Sequence, residues 1–212
     1  MPTKKAMGRR APRQRLTVDA RREQLLGLGM ELFSTRAYDE VWIEEIAERA
    51  GVSRGLLYHY FPTKRDFYVA VARAAVEDVR ELTEPNRTLP PIERIRAGLD
   101  AFLRYAEERS QGFLAAYRGA VAGDAEVRAL VEGGRERQAA RIIDALTRRR
   151  KPPPRLLYLA VRGWIAMTQD VTAQWLTERD PPRDRLHEFL MRSLLGAIGA
   201  AGHRPGTSDH LL

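Results

Sequence analysis

Residues 43–64 of the chain read IEEIAERAGVSRGLLYHYFPTK. Apolar residues recur at helical spacing in the first part of this stretch, and Gly51 then breaks the pattern. Glycine accepts a left-handed backbone at little steric cost, so it suits the end of a short helix. Ser53 is a good N-cap for a second short helix, and Pro62 disfavours helical geometry at Phe61. The stretch therefore predicts two short helices around a glycine turn, which is the helix-turn-helix pattern.

The second of these helices carries side chains that can contact DNA. Leu57 and Phe61 lie four residues apart on one face, and we predict that they pack into the core. Arginine can hold a guanine edge bidentately, leucine can pack on thymine, and tyrosine or histidine can bind phosphate oxygens. The alternative is that the aromatics are core and the arginine is a solvated charge, but so short a helix cannot bury every face. The side chains on the other faces are Arg54, Leu56, Tyr58, His59 and Tyr60.

The run GVSRGLLYHYFPTK, from Gly51 to Lys64, resembles the signature of the TetR family of bacterial repressors. The resemblance implies an all-helical homodimer with an N-terminal DNA-binding domain and a C-terminal domain for ligand binding and dimerisation. It also implies that Arg54 and Gly55 lie at the base-reading start of the recognition helix, and that Lys64 meets a phosphate. The residues expected to contact DNA are Trp42, Ser53, Arg54, Gly55, Leu56, Tyr58, His59, Tyr60 and Lys64.

The chain departs from the family pattern at one position. Family members often place Thr or Ser just before the apolar residue that opens the second helix, whereas Val41 and Trp42 stand there in this chain. Because the usual hydroxyl is absent, the indole N–H of Trp42 is the group that can replace its contact with a phosphate.

The whole chain is predicted to be an all-α protein of about nine helices. Thr63 and Asp66 predict a capping box at the start of a fourth helix, which connects the DNA-binding part to the rest. A long helix later in the chain is predicted to be interrupted by Gly133 and Gly134. The expected divisions are a disordered basic arm at 1–17, a helix-turn-helix domain at 18–84, a helical ligand-binding and dimerisation domain at 85–203, and a flexible tail at 204–212.

The net charge of +8 is unevenly distributed along the chain. Residues 1–17 carry six basic and no acidic side chains, whereas residues 18–84 carry nine basic and thirteen acidic ones. Residues 49–65 have four basic and no acidic side chains. The positive charge of this segment, rather than the net charge of the whole chain, therefore supports DNA binding. The arm at 1–17 either holds DNA or is a solvated tail, and both interpretations stay open. The basic run 148–151 suits the negative end of a helix.

Aromatic and apolar side chains are dense in three of the later predicted helices. Helix bundles place ligand pockets in such interiors, with a few polar groups that fix orientation. Ordinary core packing explains any one of these residues, and only the family resemblance implies a cavity. The expected effector is a small, largely apolar or aromatic molecule, such as a lipid, an acyl derivative or a drug-like compound. The candidate pocket residues are Phe102, Tyr105, Phe113, Tyr117, Trp164, Met167 and Thr168.

The last two predicted helices, 155–177 and 183–201, are the candidate dimer interface. The final helix carries an apolar stripe, and such a stripe docks on another subunit or on a neighbouring helix. By resemblance, these two helices from each chain form a four-helix interface, and two-fold symmetry then matches a palindromic operator. The expected interface residues are Trp175, Leu186, Phe189, Leu190, Leu194 and Ile198.

Composition and motifs argue against several other classes of protein. The chain has no cysteine, which excludes disulfides and fits a cytoplasmic protein. No apolar stretch approaches the roughly 18 residues of a membrane span, and the N-terminus lacks the apolar core of a signal peptide. No histidine pair at helical spacing, phosphate loop or nucleophile elbow is present, so we expect no enzyme activity, metal or cofactor. A metal site of His203 and His210 would have to form on a Gly/Pro-containing tail.

The sequence thus indicates a bacterial, ligand-responsive transcriptional repressor that binds double-stranded DNA as a homodimer. The alternatives are an architectural DNA-binding protein without an effector, or an activator. A small ligand that releases the protein from its operator would separate the first interpretation from the architectural one.

Overall fold

The structure is a computed structural model, and it describes residues 17–121, 124–147 and 153–203. Within those ranges the regular structure is entirely helical, with nine α-helices and a short 3-10 turn, so the predicted all-α fold is confirmed. Three segments with sequence-based predictions lie outside the described residues: most of the arm at 1–17, the basic run at 148–151 and the tail at 204–212.

The helices follow one another through short connections. The 3-10 turn, Tyr38–Glu40, lies between the first two of them. In chain order they are α1 (Val18–Thr35), α2 (Ile43–Ala50), α3 (Arg54–Tyr60), α4 (Lys64–Leu82), α5 (Pro91–Glu108), α6 (Ser110–Val121), α7 (Ala125–Thr147), α8 (Arg155–Glu178) and α9 (Arg183–Ala200).

The ends of α4 and α7 are set by side chains that bind free backbone groups. The N–H of Asp66 donates to the Thr63 hydroxyl oxygen at 3.0 Å, and the N–H of Thr63 donates to the Asp66 carboxylate at 3.0 Å. This reciprocal pair is the predicted capping box. The carboxylate of Asp124 likewise accepts from the N–H groups of Glu126 and Val127, both at 3.0 Å, which opens α7.

Two clusters of buried apolar side chains form the interior, and α4 contributes to both. Phe67 and Val71, in the first half of α4, are buried against α1, α2 and α3. Val79, two turns further along, packs against a second cluster built from α5 to α9. α6 packs along α1, and Ala115 of α6 belongs to the first cluster, so the two cores adjoin each other.

α7 is continuous through Gly133 and Gly134, where the sequence predicted an interruption. A glycine inside a helix costs only about 1 kcal/mol relative to alanine. Packing of this long helix on α4, α6 and α8 outweighs that cost.

The apolar stripe of α9 faces its own chain, which corrects the predicted dimer seam. Apart from Phe189, the side chains of the stripe pack against α8 and α5 and have almost no surface left for a partner. Trp175 of α8 is also enclosed, and its indole N–H donates to the carbonyl of Pro181 at 2.7 Å. Of the six predicted interface residues, only Phe189 is exposed, with 54% of its surface accessible. The buried ones are Trp175, Leu186, Leu190, Leu194 and Ile198.

The substitution Gly29→Ala tests the contact between α1 and α4. A Cβ at Gly29 would lie 2.5 Å from Val71 Cγ2 and 2.6 Å from Phe67 Cζ, so the two helices must move apart. We expect the free energy of unfolding to fall by about 1–3 kcal/mol, as measured by urea unfolding at one protein concentration. Gly27→Ala is the control, because a Cβ there meets nothing within 4 Å and alanine favours the helix. Equal urea midpoints for the two variants would contradict this packing.

Candidate nucleic-acid interface and ligand cavity

The turn between α2 and α3 has the geometry that the sequence predicted. Gly51 is left-handed, with φ of 64°, and its N–H donates to the carbonyl of Glu48 at 2.9 Å. The Ser53 hydroxyl oxygen then accepts from the N–H of Leu56 at 3.2 Å and fixes where α3 begins. Leu57 is fully buried and anchors α3 to the first core. The remaining faces of this two-turn helix are therefore free to meet a partner.

The side chains predicted to contact DNA are at the surface, with two partial exceptions. Trp42, just before α2, is 65% exposed, and its indole makes no capping bond. Tyr60 is half-buried because it packs against the first core, and Lys64 is also half-buried. The exposed members of the set are Trp42, Ser53, Arg54, Gly55, Leu56, Tyr58 and His59. No contact within the described chain covers this face, so it is accessible to a duplex.

The positive charge expected around α3 is largely paired within the chain. Arg54 forms an ion pair with Glu44 of α2 at 2.9 Å, and Arg49 pairs with Glu31 and Glu45. These pairs are exposed, and exposed pairs contribute little to stability. The arginines can therefore exchange an internal carboxylate for a phosphate or a base edge without a large cost.

The start of α4 lies beside the interface and is also tied to α7. The ammonium nitrogen of Lys64 lies 4.4 Å from the ring centroid of Tyr38, in cation–π geometry. Partial burial lowers the pKa of Lys64 from its ordinary value. Arg65 pairs with Asp124 at 3.3 Å, just before α7 begins. Backbone hydrogen bonds, with the Arg65 charge beside them, hold the pKa of the Asp124 carboxyl below its usual range.

A cavity of about 130 Å³ lies between α4, α5, α6, α7 and α8. Two predicted pocket residues do not line it. Tyr105 instead donates its hydroxyl to the backbone carbonyl of Ala75 in α4 at 3.3 Å, and burial raises the pKa of that phenol. Met167 packs half-buried against the second core. The predicted residues that do line the cavity are Phe102, Phe113, Tyr117, Trp164 and Thr168.

Sequence reasoning missed the contributions of α4 and of arginine to this cavity. α4 lines one wall through Ala75, Val76, Val79 and Thr83, which recur at spacings of one, three and four residues on one helix face. That periodicity was present in the sequence and was the signal for a second packed face. The five arginines that border the cavity had no comparable signal: Arg80, Arg94, Arg135, Arg137 and Arg141.

Comparison with known protein families settles the class of this fold. A family model described as bacterial regulatory proteins, tetR family, matches residues 25–71, which hold α2 and α3. A second model, described as the tetracyclin repressor-like C-terminal domain, matches residues 91–197. The chain belongs to the TetR family of transcriptional regulators. Regulators of this family bind DNA and are not enzymes, as the sequence predicted.

Individual relatives are similar in sequence to this TetR-family regulator over most of their length. It is 31% identical over 195 residues to the transcriptional activator FasR of Mycolicibacterium smegmatis, which covers 91% of this chain and 88% of that one. It is 30% identical over 183 residues to the transcriptional repressor KstR of Rhodococcus jostii, with 83% of each chain covered. A crystal structure of a tetR-family regulator from Streptomyces coelicolor superimposes with a TM-score of 0.77 at 34% identity, over 88% of this chain and 84% of that one.

In the part of the regulator that the structure describes, no helix is both long and apolar enough to cross a bilayer.

The substitution Glu44→Gln tests whether the ion pair at Arg54 competes with DNA. It removes the carboxylate that holds the guanidinium, so binding no longer has to break that pair. We expect affinity for a selected operator fragment to rise by about two- to fivefold, the range of an exposed ion pair.

Glu48→Gln is the matched control for this substitution. It removes one exposed acid from the same helix, and Glu48 forms no ion pair with the described residues. The additional effect of Glu44→Gln should vanish in an Arg54→Ala background, because no pair remains to be broken. Equal gains from the two glutamine variants, measured by fluorescence anisotropy, would show that only total charge matters.

Proposed function

We propose that this protein is a homodimeric, ligand-responsive transcriptional repressor that leaves a palindromic operator when a small effector enters its cavity. The observation that carries the proposal is the double role of α4. Its first residue, Lys64, adjoins the recognition helix, and its second half lines the cavity through Val76, Val79 and Thr83. One rigid element thus reaches both sites. In this proposal the protein acts in the cytoplasm of a bacterium.

The proposed DNA contacts follow from the exposed faces of α3. Arg54 lies at the first position of that helix, where a guanidinium can reach base edges in a major groove. Tyr58, His59 and the exposed part of Tyr60 supply hydrogen bonds to phosphates, which set register without reading sequence. Lys64 supplies a further phosphate contact from the start of α4.

The proposed dimer interface is the outer face of α8 and α9. Phe189, Leu156 and Leu159 are large apolar side chains that project from these helices into solvent. Glycines at 163 and 196 are also exposed and let a partner helix approach closely. This face replaces the buried stripe that the sequence suggested, and a two-fold axis through it pairs two recognition helices.

The proposed response is a shift between two arrangements of the paired recognition helices. A ligand that fills the cavity pushes on the wall formed by α4, and Arg65 links the start of α4 to α7 through Asp124. The ligand can shift the equilibrium only by its difference in affinity for the two arrangements, commonly about 1–3 kcal/mol.

Selection of bound fragments from genomic DNA by the purified protein tests the proposed function. A palindrome whose half-sites lie about one helical turn of DNA or a multiple apart is the expected result. Bound fragments with no shared sequence would instead favour the architectural interpretation.

Two alanine substitutions on the selected operator separate base reading from phosphate binding. Arg54→Ala should cost about 1–3 kcal/mol and relax preference at one operator position. Lys64→Ala should weaken binding to all sequences alike and reduce the slope of log affinity against log salt by about one. Arg104→Ala, on α5, is the control and should change neither quantity. An unchanged base preference in Arg54→Ala would show that Arg54 does not contact a base that the protein reads.

Phe189→Glu tests the proposed dimer interface. A charge at the centre of an apolar contact leaves an unpaired ion after burial, so we expect monomers in analytical ultracentrifugation at micromolar protein. Val18→Glu is the matched control, because Val18 is also an exposed apolar side chain, 69% accessible, but opens α1 rather than lying on α8 or α9. If the Phe189→Glu protein still sediments as a dimer, the interface lies elsewhere.

An activator is the second candidate for the direction of regulation. It is favoured by the similarity to the activator FasR over 91% of this chain. Transcription in vitro from a promoter that contains the selected operator distinguishes the two directions, since added protein lowers the transcript level only for a repressor.

A further inference from the structure

The lining of the cavity divides into an apolar wall and a cationic edge. Phe102, Phe113 and Trp164 supply aromatic surface, and Leu99 and Ile142 supply aliphatic surface. The edge carries five arginines, and among the described residues that line the cavity there is no Asp or Glu. Charged side chains of a single sign around an apolar space favour a ligand of the opposite sign.

Three of these arginines are already matched by carboxylates outside the lining. Arg80 pairs with Glu77 at 2.5 Å, and Arg141 pairs with Glu84 at 2.8 Å. Arg135 pairs with Glu132 at 2.5 Å and also donates to the side chain of Gln169. These groups do not require a further anion.

Of the other two arginines, Arg137 is exposed to solvent, whereas Arg94 is half-buried and differently placed. One of its terminal nitrogens donates to the backbone carbonyls of Arg87 and Leu89, both at 3.0 Å. Those bonds orient the guanidinium but leave its charge unneutralised, because no carboxylate of the described chain lies within ion-pair distance. Its Nε is buried and has no hydrogen-bond partner among the described residues. A guanidinium held in this way favours an anion that accepts a charge-assisted hydrogen bond from one of the nitrogens that the backbone does not use.

Thr168 provides an independent observation on the wall formed by α8. This side chain of α8 is 5% exposed, and its hydroxyl oxygen is buried without a hydrogen-bond partner in the described part of the chain. Buried hydroxyls are normally satisfied, since leaving one unpaired costs free energy. Because Thr168 lines the cavity, a ligand with a polar group can supply the missing partner.

The volume of the cavity limits the apolar part of the ligand. An apolar protein cavity of about 150 Å³ can hold one benzene molecule, and this cavity measures about 130 Å³. A single ring or a short aliphatic chain is therefore about the largest apolar group that the cavity can enclose.

We propose that the cavity selects a small apolar carboxylic acid, with its ring or short chain against Phe102 and Trp164 and its carboxylate on the Arg94 guanidinium. The inference deepens the proposed function, on which it rests, because it assigns an anionic group to the effector. It narrows the apolar effector expected from the sequence, since the arginine edge discriminates against neutral and cationic molecules of equal size.

Titration calorimetry of the full-length protein without DNA tests this selectivity. The probes are phenylacetate, 2-phenylethanol and 2-phenylethylamine, which share one ring and differ in charge. We expect phenylacetate to bind about tenfold or more tightly than the alcohol, the effect of a hydrogen bond to a charged group, and the amine to show no binding. Equal affinities for acid and alcohol, or no binding of phenylacetate, would overturn the proposal.

Three variants assign the selectivity to particular atoms. Arg94→Gln should reduce the affinity for phenylacetate to that for the alcohol, whereas Arg94→Lys should keep a preference for the acid. Thr168→Val, which removes the hydroxyl at nearly constant shape, should also weaken phenylacetate binding. Arg104→Gln, on the same helix as Arg94 but outside the cavity, is the control and should bind like the parent protein.

Folding of each variant is checked by thermal unfolding, because Arg94 also holds the loop before α5. If Arg94→Gln does not fold, Arg94→Lys and Thr168→Val decide the question. Unchanged phenylacetate affinity in the folded Arg94→Gln or in Thr168→Val would overturn the assignment.

A separate operator-release assay distinguishes failure of this inference from failure of the proposed function. Phenylacetate that binds with the expected selectivity but leaves the operator complex intact supports the anionic site and contradicts the ligand response. Release by 2-phenylethanol but not by phenylacetate supports the ligand response and overturns the anionic site.

Discussion

Phe67, near the start of α4, is enclosed by the helices of the first core, while Val79, about three turns further along, packs against the second core. A helix of this length is rigid, so its two ends cannot respond independently to their surroundings. The hydroxyl of Tyr105 also donates to the α4 backbone at Ala75, between these two anchors. The packing of α4 into both cores is therefore the constraint through which the cavity and the recognition helix are connected.

The charged side chains of this protein act in two different ways, and burial decides which. Arg54 and its partner Glu44 are both well exposed, so their ion pair is easily exchanged for contacts with another molecule. Arg94, in contrast, has a buried Nε and two backbone acceptors but no carboxylate among the described residues. Partial removal of a cation from water without a counter-ion costs free energy, and the ligand that we propose offsets that cost.

Local features were predictable because they depend on neighbours in the chain. Gly51, Ser53 and the Thr63–Asp66 pair have the predicted conformations, since turns and caps involve hydrogen bonds over two to four residues. The stripe on α9 was predicted correctly as a stripe, but the sequence left open whether it docks on another subunit or on a neighbouring helix, and the residues assigned to the dimer interface are mostly buried within the chain. An apolar helix face has the same sequence pattern whether it packs on another subunit or on α8. Only the packed chain shows that Leu190 is enclosed.

By itself, the sequence determined the all-α class, the helix-turn-helix, the position of α3 and the side chains on its outer faces, because these follow from periodicity, caps and breakers at short range. The tertiary structure alone decided that Arg54 is paired with Glu44, that α4 lines the cavity, and that Arg94 borders it without a carboxylate. Those relations join residues that are distant in the chain, and their distances depend on how the helices pack rather than on any local pattern.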